Sequence, residues 1–555
     1  MDVKTKAGLR YSLTKSDFIG SGGEGQIFRK GSTAFKIYTD PKKMIPVTKI
    51  TELADLSLPN IIKPQDVLYD PKNSPVGYTM RYVTDTYALC QLFTKAFRER
   101  FHIKPDTMTK LVSQLRQIVS HVHSKKILIV DMNEMNFLVD DGFNDIYAID
   151  CDSYQTKNYP ATAIMESIRD RHSKTFSENT DWFSFAILSF QLFIGIHPYK
   201  GKHPKLNGMD ERMLKNVSVL NKAVSVPAVC YPFTNIPQSY LDWYKAVLDD
   251  GKRVPPPDEF QPVVVIQHAF KIAGSNNFII KKLQELAENV VRYDPIARVV
   301  MTETGIYSST RMEYTLPQGK KLPVLGTTPD GKTVAAWIEN GILKMHNVSN
   351  GVAMNFSSGD FAADQVMNYD GTIYVKNGAN IYVLVFLGNI VTVQRVSGVL
   401  ENATKLHDGV IIQNLLGACY ASVFNDKACY QIHLKELDGV RIIEAKYDNK
   451  VLMVLGFASG KYDKYIFRLG ENYQEYDVRL EKDVGPVALN FVVLPKGVCA
   501  HLNEKEELEL FSNVKGSASI KVVSDPALNG DMKLFRDGNQ VLFGKGNQLY
   551  SIALK

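Results

Sequence analysis

The segment Asp131-Met132-Asn133-Glu134-Met135-Asn136 sets a carboxylate and a carboxamide five residues apart, and Ile149-Asp150-Cys151-Asp152 follows, with Asp150 nineteen residues after Asp131. The apolar run Ile127 to Val130 leads into the first segment, and the strand-like Ile146 to Ile149 ends at the second. These residue types suit the transfer of a phosphoryl group. That chemistry needs a carboxylate beside the attacking hydroxyl, and an amide oxygen with a second carboxylate to hold magnesium against a triphosphate. Each element alone is as readily structural. Their order and spacing carry the information.

Upstream, Ile19-Gly20-Ser21-Gly22-Gly23-Glu24-Gly25-Gln26-Ile27-Phe28 contains GxGxxG. Alone the pattern decides nothing, because dinucleotide sites and plain hairpins carry it too. Here an apolar residue after the last glycine starts a strand, not the helix a dinucleotide site requires. Ala34-Phe35-Lys36-Ile37 then brings a lysine eleven residues after Gly25. A hairpin with glycines at its tip lets backbone amides approach phosphates, and a lysine on the next strand can reach the α- and β-phosphates. Apolar neighbours on both sides of Lys36 argue against a solvated strand lysine.

The order of glycine loop, Ala-x-Lys, Asp-x4-Asn, apolar-Asp and Thr180-Asp181-Trp182-Phe183-Ser184-Phe185-Ala186 resembles the protein kinase-like superfamily. The chain is more closely similar to a bacterial and phage branch with IDxDSxQ and TDxFxLA motifs. It has Ile149-Asp150-Cys151-Asp152-Ser153-Tyr154-Gln155, then Thr180 to Gly195, then Ile196-His197-Pro198-Tyr199. Pro64 to Met80 resembles that branch's approach to the hinge. The resemblance covers about residues 10 to 262, roughly half the chain.

By position, the resemblance implies that Gly20, Gly22 and Gly25 cover the phosphates of ATP and that Lys36 contacts them. Asp131 would be the catalytic carboxylate, and Asn136 and Asp150 would hold Mg2+ or Mn2+. Asp181 would brace the catalytic loop, and Arg81-Tyr82-Val83 would be the hinge that receives adenine through backbone groups. Four departures stand out. Ile129-Val130 replaces the usual His-Arg, Asn133 the usual lysine, and Asp152 the glycine after the magnesium carboxylate. The Ala-Pro-Glu anchor is absent, with Glu166 and Arg253 the nearest substitute pair. Glu52 is the nearest candidate for the acidic partner of Lys36, on a segment, Lys42 to Ala54, that Pro46 interrupts.

A chain of 555 residues exceeds one hydrophobic core, so two domains or more are expected. The basic excess, 65 against 59 acidic residues, is small and without a long basic run, so it gives no reason to expect nucleic-acid binding. Six scattered cysteines without CxxC pairing read as free thiols in a reducing, cytoplasmic setting. The N-terminus lacks a signal-peptide core, and the longest apolar stretch, Phe183 to Ile196, is too short for a membrane helix.

After about Ser275 helical periodicity gives way to short alternating strands. Turn signals recur at Asp294, Asp330, Asp370, Asp408, Asp448, Lys496 and Asp537, in steps of 36, 40, 38, 40, 48 and 41 residues. Blades of a β-propeller run at roughly 40 to 50 residues. One repeat reads as strands Leu322 to Thr327, Val334 to Ile338, Ile342 to Val348 and Val352 to Phe356, with Asn340-Gly341 supplying a two-residue hairpin turn. The last repeat stops after Gln548 to Leu554, so Phe278 to Leu283 is expected to supply its outer strand. A β-sandwich or two separate β-domains is the competing architecture. The strand layout resembles WD-repeat propellers, without their Gly-His and Trp-Asp dipeptides.

The expected architecture is therefore a two-lobed α+β protein kinase-like domain over 1–265, with an N-lobe at about 10–80 and a C-lobe at about 84–262. A seven-bladed, all-β propeller over 276–555 follows it. The expected function is an ATP- and Mg2+-dependent serine/threonine protein kinase whose propeller holds a protein substrate or partner. The alternatives are a pseudokinase scaffold, or a structural or assembly protein such as part of a phage particle.

Overall fold

The computed structural model describes residues 1–22, 24–258, 274–316, 321–425 and 428–555. The chain divides into two compact units, Met1–Arg98 with Ile103–His268, and Glu99–His102 with Ala269–Lys555. The break expected over 262–275 lies, up to residue 273, outside the described residues.

The first unit opens with strands β1 (Asp2–Thr5), β2 (Arg10–Ser12), β3 (Phe18–Ser21), β4 (Gly25–Lys30), β5 (Thr33–Tyr38), β6 (Val67–Tyr69) and β7 (Pro75–Arg81). They form one antiparallel sheet in the order β2-β1-β6-β7-β5-β4-β3. β5 lies inside it, between β4 and β7, with Lys36 opposite Ile27 on one side and Tyr78 on the other. Two glycines let these strands approach. A Cβ on Gly25 would stand 2.5 Å from the Ile37 carbonyl oxygen, and one on Gly77 would stand 2.0 Å from that of Lys36.

Helix α1 (Val47–Leu53) begins directly after Pro46, whose fixed φ suits a helix entrance. The proline that interrupts the segment in sequence starts this helix and does not break it. α2 (Pro105–Ser124) has Pro at its first position and buries Met108, Leu111, Leu115, Ile118, Val119 and Val122, the i, i+3, i+4 stripe of an amphipathic helix. α3 (Glu178–Ile194) is capped by Ser177, whose side chain accepts from the Thr180 amide, and stops at Gly195 with φ +85°. Every residue from Thr180 to Ile194 is buried, which explains its lack of a polar face. Among the described residues no helix is long and apolar enough to cross a membrane. A three-stranded sheet, β10 (Ile146–Ala148), β9 (Phe137–Asp140) and β8 (Thr86–Ala88), carries the chain between the two sequence motifs.

Strands dominate the second unit, where the described residues form seven sheets in chain order, spanning 292–315, 324–347, 355–398, 404–433, 441–484, 491–523 and 533–554. Asn340 (φ +52°) and Gly341 (φ +73°) make the expected hairpin turn, as do Asp370 and Gly371. Phe278–Glu285 pairs antiparallel with Gln548–Leu554, Phe278 facing Leu554 and Ile280 facing Ile552. One strand expectation needs correction. Val352 to Phe356 is not a regular fourth strand of its repeat. Ala353 makes only an isolated bridge to His346, and Asn355–Phe356 then runs parallel to Ile390 and Val391 in the following sheet. The turn at Gly351, whose amide donates back to the Asn347 carbonyl, directs the chain toward that neighbour. The six cysteines are all free thiols.

Candidate functional site

β5 carries Lys36 in a buried position, 8 % exposed, with Tyr38 two residues on. The Lys36 Nζ donates to Asp152 Oδ2 at 2.6 Å and to Asp150 Oδ1 at 2.9 Å. The Tyr38 hydroxyl donates to the same Asp152 oxygen at 2.5 Å. From α1, the buried Lys49 donates its ammonium to the Asp152 backbone carbonyl at 2.6 Å. Burial alone would lower the pKa of Lys36, but the carboxylates of Asp152 and Asp150 outweigh it and raise that pKa. Burial alone would likewise raise Asp152, yet the Lys36 ammonium holds its carboxyl below the usual range. Lys49 faces burial with less compensation and is lowered. One Asp152 oxygen, Oδ1, is buried without a hydrogen-bond partner among the described residues.

Asp150 stands at the end of β10 in the left-handed conformation, φ +65°, as the cap of the short turn Cys151–Ser153. This conformation is uncommon for a residue with a side chain, and such positions cluster at functional sites. Another left-handed residue, Val130 at φ +62°, immediately precedes Asp131. What holds it is Asp181, fully buried near the start of α3. Asp181 accepts from the Ile129 amide at 2.8 Å, the Val130 amide at 2.9 Å and, through the ring nitrogen Nε2, from His123 of α2 at 2.9 Å. Three donors from two elements thus fix the backbone that presents Asp131.

The Asp131 carboxylate has a partner on each oxygen. Asn133 Nδ2 donates to Oδ2 at 2.9 Å, and the Met165 amide donates to Oδ1 at 2.8 Å. Asn136 Nδ2 donates to the Asp131 carbonyl at 2.9 Å, and the Ile149 amide donates to the Asn136 carbonyl, tying the two motifs together. The structure therefore joins Lys36 to Asp150, and Asn136 to Asp131, by direct contacts.

The glycine turn closes through the Gly22 amide on the Gly25 carbonyl at 2.9 Å. A Cβ on Gly20 or Gly22 would meet nothing within 4 Å, and neither glycine has a left-handed φ. The fold makes no steric demand for glycine at these two positions; a ligand approaching the backbone would. In the Arg81 to Val83 stretch, the Tyr82 amide already donates to the Ser32 carbonyl at 2.8 Å, and the Arg81 guanidinium donates to the Pro59 carbonyl at 2.5 Å.

The family model for the protein kinase domain matches residues 14–305, more than half of the chain. The chain belongs to the protein kinase domain family. No curated protein matches it.

Two sequence expectations about the kinase domain are corrected by its ion pairs. Glu52 is not the partner of Lys36: its Oε1 accepts from Asn158 at 2.6 Å, while the lysine turns to the Asp150–Asp152 turn. Glu166 is not the partner of Arg253 either. Arg253 grips the buried Asp170 with two bonds of 2.6 and 2.7 Å, and Glu166 pairs with Arg169 and Arg171. A two-pronged bond to a buried carboxylate is the stronger anchor.

Sequence reasoning did not assign Asp152, Lys49, Asn133 or Met165 a place in the site. Lys49 does carry a signal, since it sits beside Ile50 and one turn before Leu53, on the buried face of α1. For a cation, the hard oxygens of Asp150 and Asn136 suit magnesium. The Asp150 side chain is 41 % exposed and that of Asp152 only 3 %, so Asp150 is the carboxylate a ligand can reach. Among the described residues there is no cluster of three or more His, Cys, Asp or Glu suited to a metal.

Proposed function

We propose that this chain is an ATP- and magnesium-dependent protein kinase that transfers the γ-phosphate to a serine or threonine hydroxyl. The observation that carries this reading is the meeting of Lys36 and Asp150, 114 residues apart, at 2.9 Å beside the Asp181-braced Asp131 loop. Lys36 contacts the α- and β-phosphates under the turn of Gly20, Gly22 and Gly25. Asp131, held by Asn133, orients the acceptor hydroxyl and takes its proton. Magnesium, when bound, neutralises phosphate charge, and Asn136 and Asp150 would hold it; manganese suits the same oxygens. Adenine lies against the stretch from Arg81 to Val83. Because the Tyr82 amide is engaged with Ser32, the backbone contacts to adenine fall to its neighbours.

The second unit acts as a seven-bladed propeller that holds a protein substrate or partner, and the motif Ile149 to Gln155 puts the kinase domain in the bacterial and phage branch. Seven successive sheets and the pairing of Phe278–Glu285 with the last of them support a closed ring. So do ion pairs that link sheets not adjacent in the chain, Arg536 to Asp370 at 3.1 Å and Arg292 to Asp408 at 3.6 Å.

One observation favours a second reading, a pseudokinase scaffold: both Asp131 oxygens are already bonded, one of them by the Met165 amide. Calorimetry with ATP tests the nucleotide part. The kinase reading expects binding that depends on magnesium or manganese, weakened in Lys36→Ala and stripped of its metal dependence in Asp150→Asn. No ATP affinity with any divalent ion would overturn it.

A further inference from the structure

In an ATP site of this kind the phosphate-contacting lysine needs an acidic partner to hold its long side chain in one rotamer, and a helix residue was the expected source. The structure offers none there. α1 presents to the site a cation, Lys49, and its one acid near the site, Glu52, is bonded to Asn158. The partner lies instead within the turn that begins at Asp150. The left-handed Asp150 and the short helical turn after it fold the chain so that two carboxylates, two residues apart, meet one ammonium.

Those two carboxylates differ. Asp150 is 41 % exposed, whereas Asp152 is closed in at 3 % and makes the shorter bond to Lys36, 2.6 Å against 2.9 Å. Tyr38 fixes the Asp152 carboxylate from β5, and Lys49 fixes its backbone from α1. Asp152 is therefore a fixed point to which the lysine is tied.

We propose that Asp152 is the positioning residue for Lys36, in place of a helix glutamate, leaving Asp150 to the metal. The proposal rests on the reading of Lys36 as a phosphate contact. It has a structural consequence. The metal carboxylate and the lysine's anchor belong to one turn, so a displacement of α1 cannot separate Lys36 from its acid. Lys49 is what α1 contributes, as a brace on that turn.

The test uses the full chain and two readouts. In the nucleotide-free protein, acylation of Lys36 by an amine reagent is followed by mass spectrometry. A buried ammonium bonded to two carboxylates, at 2.6 and 2.9 Å, is closed to the reagent and acylates slowly. With ATP, magnesium and an acceptor protein, kcat and KM are measured. Asp152→Asn should speed Lys36 acylation and cut kcat by about 10- to 100-fold, the scale of a misplaced positioning group. Tyr38→Phe removes only the hydroxyl on Asp152 and should change both readouts in the same direction by roughly two- to tenfold. It keeps the proposal testable if Asp152→Asn does not fold. Glu52→Gln should leave both readouts at wild-type values.

Wild-type acylation and wild-type kcat in folded Asp152→Asn, or in Tyr38→Phe if only that variant folds, would overturn the anchor. If the wild type transfers no phosphate while Asp152→Asn still exposes Lys36, the anchor stands and the kinase reading falls.

Discussion

Asp181 shows how one side chain can hold a loop, here the one that presents Asp131. Its carboxylate takes three donors at full burial, and it holds Val130, a β-branched residue, in the left-handed region. Removing the acceptor leaves two buried amides unsatisfied. Asp181→Ala should therefore cost about 2–4 kcal/mol, read as a fall in the urea midpoint. The three motif glycines separate in the same way. Gly25→Ala drives a Cβ into the Ile37 carbonyl and should cost about 1–3 kcal/mol. Gly20→Ala and Gly22→Ala meet open space and should shift stability by no more than about 0.5 kcal/mol, while weakening ATP binding in calorimetry. If all three destabilise alike, the loop's glycines serve the fold and not a ligand. At this scale the sequence offers candidates where residues share a motif, as with Asp131 and Asn136, which the structure brings into contact. It was not readable where the partner is distant. Nothing in the spacing of Lys36 and Asp152, 116 residues apart, says which acid the lysine will meet.

Elements were legible when their pattern was continuous. The stripe of α2 and the apolar run of α3 announce helices, and the Asn340-Gly341 pair announces a hairpin. Pro46 concealed α1, because a proline reads as a break until its place at a helix entrance is known. After α3, His197 accepts from the Tyr199 amide at Nδ1 (3.1 Å) and donates from Nε2 to the Ser167 carbonyl (2.8 Å), which requires the neutral ring. Burial lowers its pKa to about 3. The unfolded chain therefore binds a proton near pH 6.5 that the folded chain refuses until about pH 3. Stability should fall as pH drops through that window, and His197→Gln should flatten the fall in denaturant melts between pH 6.5 and 4. An unchanged slope would mean that the ring titrates freely. In the second unit, proline at Ile279 or at Ile280 should differ in effect, because neighbouring amides point to opposite sides of a strand. The one that faces Gln548–Leu554 should cost about 1–3 kcal/mol and promote aggregation through the exposed edge, measured by light scattering. Equal tolerance at both positions would show that the pairing contributes little.

At the scale of the whole molecule, a kinase domain and a strand-rich unit, whose described residues form seven sheets, share one chain. The central claim is that the first of them transfers phosphate through Asp131. Its role is felt in the transition state and not in nucleotide binding, so Asp131→Asn should leave magnesium-ATP affinity nearly unchanged. General-base contributions are typically about 100- to 10,000-fold, and the loss of turnover should be of that order. The direct measurement is phosphate transfer from γ-labelled ATP, to the protein itself or to a generic acceptor, for the wild type and Asp131→Asn in parallel. Incorporation in the wild type, with a loss of at least about 100-fold in the variant at equal ATP affinity, is the predicted result. Equal incorporation in both proteins, or none in a wild type that binds magnesium-ATP tightly, would contradict it.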